Sequence, residues 1–426
     1  MISKKRYPYI AAALCFALLT SSCMSEIEPA ANLPKAETPP TAMSTAATEE
    51  TAVITVTTAE VTEETQPPLL ELPVTQEEPQ AKSVTFTVAG DNLIHTVICT
   101  QAQNRAGGEG YDFSEAYEHV APLVCGADIS ILNQETIVND VFPPSNYPCF
   151  STPTELGDYM IDMGFDAFSI ANNHLLDKGE DGLFATLDYW DRHPEAVVCG
   201  AYRSEEDMNN IRTITSNGVT FSLLGYMEHT NGLRLPQDSE AKIVYLSELD
   251  TIKSQIEQAK EISDVVILNV HWGVEVTNEV TEQQKSLARQ FVEWGADVIV
   301  GTQPHTVQTM EYITREDGSR GFVFYCLGNF ISAMENPYGM MGMIGNFTVS
   351  YDPAADSAEV TDVEAIPIVN HYDINYRNIA AYPFSSYTKE LALQHGCVGR
   401  GFSYELAEQV FDENIPKEYL NMEYMP

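Results

Sequence analysis

The stretch 165–182, F-D-A-F-S-I-A-N-N-H-L-L-D-K-G-E-D-G, decides how the fold is read. It opens on a short apolar run, Phe165, Ala167, Phe168 and Ile170, whose length and bulk predict a buried strand. The run breaks at once into Asn172, Asn173 and His174, with Asp177 and Gly179 in the turn before a helical pattern over 180–190. Buried strand, polar break and helix make the unit of an open α/β sheet, whose ligands sit outside the carboxyl ends of the strands.

The same unit recurs on both sides. Upstream, S-V-T-F-T-V-A-G-D alternates Val84, Phe86 and Val88 with small or polar residues and ends on Gly90 and Asp91. The run Ile129, Ile131, Leu132 delivers Asn133 and Glu135, after a helical spacing that starts near Tyr111. Downstream, D-V-V-I-L-N-V-H-W-G ends on His271, Trp272 and Gly273, and A-D-V-I-V-G-T-Q-P-H ends on Gly301, Gln303 and His305. The run G-F-V-F-Y-C-L-G-N-F predicts one more strand, closing on Gly328, Asn329 and Phe330. Helices are expected over 154–163, 246–262 and 282–294, with a strand over 220–224. Residues 369–426 are expected to cap the domain with a helix over 404–411.

Outside this region the composition changes. Lys4, Lys5 and Arg6 precede an apolar run from Ile10 to Leu19, followed by Ser21, Ser22 and Cys23, the layout of a secretory signal. The ending L-T-S-S-C resembles a bacterial lipobox, which implies lipidation at Cys23 and an extracytoplasmic lipoprotein anchored to the cell membrane, although Thr20 stands where leucine is usual. Residues 24–82 are rich in Thr, Glu and Pro with almost no aromatics, so they are expected to be a disordered tether. The formal charge of −40 argues against binding nucleic acid, which needs clustered Lys and Arg. Cys99, Cys125, Cys149, Cys199, Cys326 and Cys397 show no C-x-x-C spacing and are read mainly as core thiols.

Asp91, Glu135, Asn173, His174, His271 and His305 all stand just past apolar strands. One such histidine is weak evidence, but carboxylate, imidazole and amide donors from five strands form a set suited to a divalent ion such as Mn²⁺, Fe²⁺, Zn²⁺ or Mg²⁺. Two such ions would clamp a phosphate and activate a water. The sequence carries no phosphate-binding glycine loop and no G-x-S-x-G elbow.

In order and spacing, G-D-N-L-I-H, N-Q-E-T, A-N-N-H-x-x-D-x-G, V-H-W-G, G-T-Q-P-H-x-V-Q and L-G-N-F resemble the CapA family of bacterial capsule (poly-γ-glutamate) synthesis proteins over 83–368. That family is similar to the calcineurin-like metallophosphoesterases, so the resemblance implies a four-layered αββα sandwich with a metal site at the strand ends. It implies metal-ligand roles for Asp91, Glu135, Asn173, His271 and His305, and catalytic roles for His174 and Asp91. Residues that could contact substrate are His95, Asn133, Asn172, Asp177, Trp272, Gln303 and Asn329, although an aromatic residue such as Trp272 beside a strand end is more often core. The sequence departs from the phosphoesterase pattern at two points: Leu93 fills the histidine position of D-x-H, and Gln303-Pro304-His305 lacks the first imidazole of H-x-H. Two readings follow. One is a surface-anchored factor for making, exporting or attaching poly-γ-glutamate or another anionic cell-surface polymer, partnered by capsule synthetase components. The other is an extracytoplasmic metal-dependent phosphoesterase acting on an envelope phosphodiester.

Overall fold

The computed structural model of the protein describes residues 80–425; the expected signal segment, Cys23 and the tether to residue 79 lie outside the described residues. In chain order the strands are β1 (Lys82–Asn92), β2 (Ile129–Asn133), β3 (Ala167–Ser169), β4 (Val197–Cys199), β5 (Arg212–Ser216), β6 (Val219–Met227) and β7 (Val265–His271). They continue with β8 (Val298–Thr302), β9 (Met310–Thr314), β10 (Arg320–Phe324), β11 (Asn329–Ile331), β12 (Met341–Asp352), β13 (Ser357–Asp373) and β14 (Arg377–Pro383). The helices are α1 (Thr96–Arg105), α2 (Ser114–Tyr117), α3 (Ala121–Val124), α4 (Thr154–Asp162), α5 (Gly179–Trp190) and α6 (Glu205–Asn209). After them come α7 (Leu249–Ile262), α8 (Glu282–Trp294), α9 (Lys389–Gln394) and α10 (Tyr404–Asn414).

The strands form two sheets. One runs β14-β13-β12-β1-β2-β3-β4, with β11 also beside β1; the other runs β5-β6-β7-β8-β10-β9. The segment β1-β2-β3-β4 is parallel, as is β6-β7-β8-β10, so the carboxyl ends within each segment emerge together.

Period-two alternation sorts the side chains of the second sheet into two cores. Phe221, Leu223, Ile267, Val298 and Phe324 face the first sheet, while Leu224, Tyr226, Leu268, Val270 and Ile299 face α7 and α8. Between the sheets the Phe86 ring lies 4.8 Å from that of Phe221 and 4.8 Å from that of Phe347. Burying each such ring contributes about 1.5–3 kcal/mol. On the outer face of the first sheet Phe168 packs on Trp190 of α5 at 4.5 Å. Helix, sheet, sheet, helix gives the four-layered αββα sandwich.

Several elements differ from the sequence reading. The expected helix after Tyr111 resolves into the single-turn α2 and α3, because Pro122 lacks an N–H and its ring cannot follow a preceding helical turn. The stretch 321–330 is two strands rather than one. β10 pairs with β8 in the second sheet, and β11 pairs with β1 in the first, so the chain crosses between sheets at residues 325–328. Gly90 is needed at this crossing: a Cβ there would lie 1.9 Å from the carbonyl oxygen of Gly328, which accepts the Asp91 N–H at 3.0 Å. β6 runs on to Met227, three residues past the expected end. β13 passes through residue 368, and β14 adds the following segment to the same sheet. Among the described residues all six cysteines are free; Cys99, Cys199, Cys326 and Cys397 are buried, Cys149 is half-buried and Cys125 is exposed.

Candidate metal centre

Asp91 leaves the end of β1 and Glu135 follows β2, so the first sheet supplies two carboxylates. His271 closes β7 and His305 follows β8, so the second sheet supplies two imidazoles. The four meet where the sheets' carboxyl ends converge. One ligand atom each from Asp91, Glu135 and His305 lies within 4.8 Å of the others, and all three side chains are buried. His271 Nδ1 is 3.8 Å from Asp91 Oδ1, and its Nε2 is 3.8 Å from Glu135 Oε1.

Each member is oriented from behind. Asp91 Oδ1 accepts from Asn133 Nδ2 at 2.7 Å, and Oδ2 accepts from the Gln303 N–H at 3.3 Å. His305 Nδ1 lies 3.1 Å from Asp91 Oδ2 and 3.0 Å from Asn329 Oδ1, so this nitrogen carries a proton, and Nε2 points toward Glu135 Oε1, 3.7 Å away. His271 Nδ1 pairs with Thr302 Oγ1 at 2.9 Å, and its Nε2 faces Asn173 Oδ1 at 3.1 Å. A cation between those two atoms would replace their mutual hydrogen bond. Gln303 and His305 take φ of 99° and 58°, left-handed conformations that cost side-chain-bearing residues of order 1–3 kcal/mol each and tend to cluster at functional sites.

The electrostatics are unbalanced. Burial pushes the Glu135 carboxyl well above its ordinary range despite the His305 charge, with Asp91, Glu275 and Asp177 adding to the rise. Burial would raise Asp91 too, but the hydrogen bond and charge of His305 hold it below the usual carboxylate range. His305, lowered by burial, is pushed up overall to about 10 by the Glu135 and Asp91 carboxylates, whereas burial takes His271 down to about 3. Most telling, both Glu135 oxygens are buried with no hydrogen-bond partner. A doubly orphaned carboxylate is costly in a packed interior. Oxygen and imidazole donors converging on it fit a divalent cation, held by Asp91, Glu135 and His305 with Asn173 and His271 alongside.

The other expected residues stand at different removes from the centre. His174 lies near the centre with Nδ1 2.8 Å from Asp177 Oδ2, so Asp177 orients its ring. The Phe150 ring meets His174 edge-on at 4.7 Å and His95 at 5.4 Å, and His95, brought down to about 4 by burial, accepts from the Ala333 N–H at 3.2 Å. Asn133, Gln303 and Asn329 act on the ligands themselves. Asn172 ties its own turn to the loop after β2, donating to Gln134 O at 3.0 Å and accepting from His174 N at 3.1 Å. Trp272 does not contact this centre in the way expected of a substrate residue. It is 1 % exposed, its Nε1 donates to Tyr325 O at 2.9 Å, and it stacks with Phe291 and Tyr325 in the core outside the second sheet. The pleat demands this, since His271 faces inward and its neighbour must face outward.

Five residues were missed by the sequence reading. Thr302 holds His271, and Glu275 accepts from Gln303 Nε2 at 3.3 Å. Phe150 forms the wall between His95 and His174. The turn after β6 brings His229, whose charge reaches His271, and Asn231, which accepts from Asn173 Nδ2 at 3.4 Å. The signal for these last two was the same strand-end rule, applied three residues later.

Comparison with known proteins gives the family. Residues 85–334 match the model described as bacterial capsule synthesis protein PGA_cap. The capsule biosynthesis protein CapA of Bacillus anthracis is 27 % identical over 262 residues, 59 % of this chain and 60 % of that protein. The PGA biosynthesis protein CapA of Bacillus subtilis is 30 % identical over 231 residues, 50 % of this chain and 56 % of that one. The chain therefore spans a little over half the length of these relatives. Among solved structures, a phosphatase from Mycoplasma pneumoniae aligns with a TM-score of 0.40 at 14 % identity, covering 68 % of this chain and 95 % of that one. The 5'-nucleotidase of Candida albicans aligns with a TM-score of 0.34 at 13 % identity, over 68 % of this chain and 53 % of that one. With the family model matching more than half of its length, the chain belongs to the bacterial capsule synthesis protein PGA_cap family.

Proposed function

We propose that this protein works outside the cytoplasm, held to the membrane by a lipid on Cys23, in making, exporting or attaching an anionic capsule polymer of the poly-γ-glutamate type. Synthetase components of the capsule machinery would be its partners. Family membership supports the capsule role, and the signal-like N-terminus supports the location. The observation that carries a working site is Glu135, with both oxygens buried and unpartnered beside Asp91 and His305.

When bound, a divalent ion at this centre would polarise an oxygen of the polymer or of its activated precursor. The chain's own residues do the rest. Asn133 and the Gln303 N–H fix Asp91, Asn329 fixes His305, and Thr302 fixes His271, so the donors are preorganised. Asp177 holds His174 through Nδ1, which leaves Nε2 to accept or give a proton. Phe150 shields that ring on one side.

The test is made in cells of the host with its own copy deleted. Surface-bound poly-γ-glutamate is measured after complementation with wild type or Glu135→Ala at matched surface protein. Loss of polymer in the variant is expected; undiminished polymer would sink the proposal.

A further inference from the structure

A polyanion approaching a chain of net charge −40 is repelled over most of the surface, so binding one requires a local excess of cations. Most arginines here offer none. Arg192, Arg203, Arg212, Arg315 and Arg320 each lie within 2.8 Å of a carboxylate. Arg234 differs: its guanidinium lies over the Tyr245 ring at 4.8 Å, and it makes no ion pair among the described residues. Lys242 Nζ, close by, donates only to the carbonyls of Ser239 and Glu240, at 3.4 and 3.0 Å. Both cations line one cavity of about 280 Å³, floored by Leu235, Pro236, Ile243 and Tyr245, with no acidic side chain in its wall.

The cavity is tied to the metal centre by the turn after β6. Asn231 Oδ1 accepts from Asn173 Nδ2 at 3.4 Å, and Thr230 Oγ1 pairs with Tyr245 OH at 2.9 Å. Arg234 is three residues beyond Asn231, so their Cα atoms are at most about 11 Å apart. From Asn231 the link to the centre continues through Asn173 to His271, so the cavity and the centre are joined by one turn and two side chains, a path for a polymer of several units rather than for a single one.

We propose that the Arg234–Lys242 cavity is a subsite for the pendant carboxylates of a polycarboxylate chain, one unit of which lies at the metal centre. This rests on the polymer reading given above. A guanidinium offers two parallel N–H donors to a carboxylate, its stacking on Tyr245 fixes its plane, and Leu235 and Pro236 provide apolar surface for main-chain methylenes.

The test uses the purified full-length chain and an end-labelled poly-γ-glutamate oligomer, with binding followed by fluorescence anisotropy over a salt series. Arg234→Glu should weaken binding about tenfold or more and flatten the dependence of log affinity on log salt, with Lys242→Gln giving a smaller loss. Arg234 is exposed, so melting temperature and metal content should match wild type. Wild-type binding that Arg234→Glu leaves unchanged overturns the subsite while the polymer reading stands. A wild-type chain that binds no oligomer at any salt overturns both. Inorganic polyphosphate of equal charge, bound as tightly and lost equally in the variant, overturns the carboxylate assignment.

Discussion

The His305 ring is held between Asn329 and Glu135: Nδ1 lies 3.0 Å from the Asn329 amide oxygen, and Nε2 lies 3.7 Å from Glu135 Oε1. An amide behind a ligating imidazole fixes its tautomer and direction, and losing such a partner lowers metal affinity about 10–100-fold. Asn329→Ala is therefore expected to bind Mn²⁺ or Zn²⁺ weaker by that factor, measured by competition with a chromophoric chelator. Unchanged affinity in the folded variant would contradict this role for Asn329.

Glu135 is a liability in the metal-free protein, since its two oxygens are buried without partners. The isosteric Glu135→Gln removes the ionisable group, and the metal-free variant should be more stable than wild type by about 1–2 kcal/mol. Added divalent metal should raise the wild-type melting temperature and leave that of the variant unmoved. Calorimetry with and without chelator reads both; a variant melting lower than wild type when metal-free would be contrary.

Gly90 allows the two sheets to meet, because a Cβ would lie 1.9 Å from Gly328 O. Gly90→Ala must shift either β1 or the crossing at 325–328, and Asp91 with it. We expect a loss of about 3 kcal/mol or more together with the metal site. A variant with wild-type urea midpoint and metal content would show that the backbone yields more readily than this packing allows.

A pH dependence should come from His395, beside the end of β13. His395 is buried; Nε2–H donates to Asn370 O at 2.9 Å, and Nδ1 accepts from the Cys397 N–H at 2.9 Å, a pattern only the neutral ring satisfies. Burial lowers its pKa to about 4. The folded value is below the unfolded value of about 6.5, so this contribution is complete above that pH and is lost as pH falls toward 4. About 2 kcal/mol should be gone by about pH 5. His371, 5.3 Å away and also lowered by burial despite Asp373, adds in the same direction. Urea midpoints near neutrality and at about pH 5 should separate in wild type and separate less in His395→Gln, by the His395 share; an undiminished separation would contradict the assignment.

The strand ends were legible because short apolar runs in parallel sheets stop abruptly where polar loops begin, which brought Asp91, Glu135, Asn173, His271 and His305 into view. Where the run itself was impure, the reading stopped early: Gly225 and Tyr226 dilute the end of β6 and concealed the turn carrying His229 and Asn231. The opposite fault hid the crossing at 325–328, since Phe324, Tyr325, Cys326 and Leu327 read as one continuous run although they leave one sheet for the other. Glu275 lies on a loop, where no periodicity announces which acid turns inward. For Trp272 the pleat decides between cleft and core: its neighbour His271 faces the centre, so Trp272 faces the core outside the second sheet.

The most direct test of the central claim is elemental analysis of the full-length protein purified without chelator and equilibrated with Mn²⁺, Fe²⁺, Zn²⁺ or Mg²⁺, beside the double variant Asp91→Ala/His305→Ala. The centre described here predicts at least one equivalent of a divalent metal in wild type and its loss in the variant, with circular dichroism showing both folded. A folded wild-type protein that retains none of these ions would contradict it.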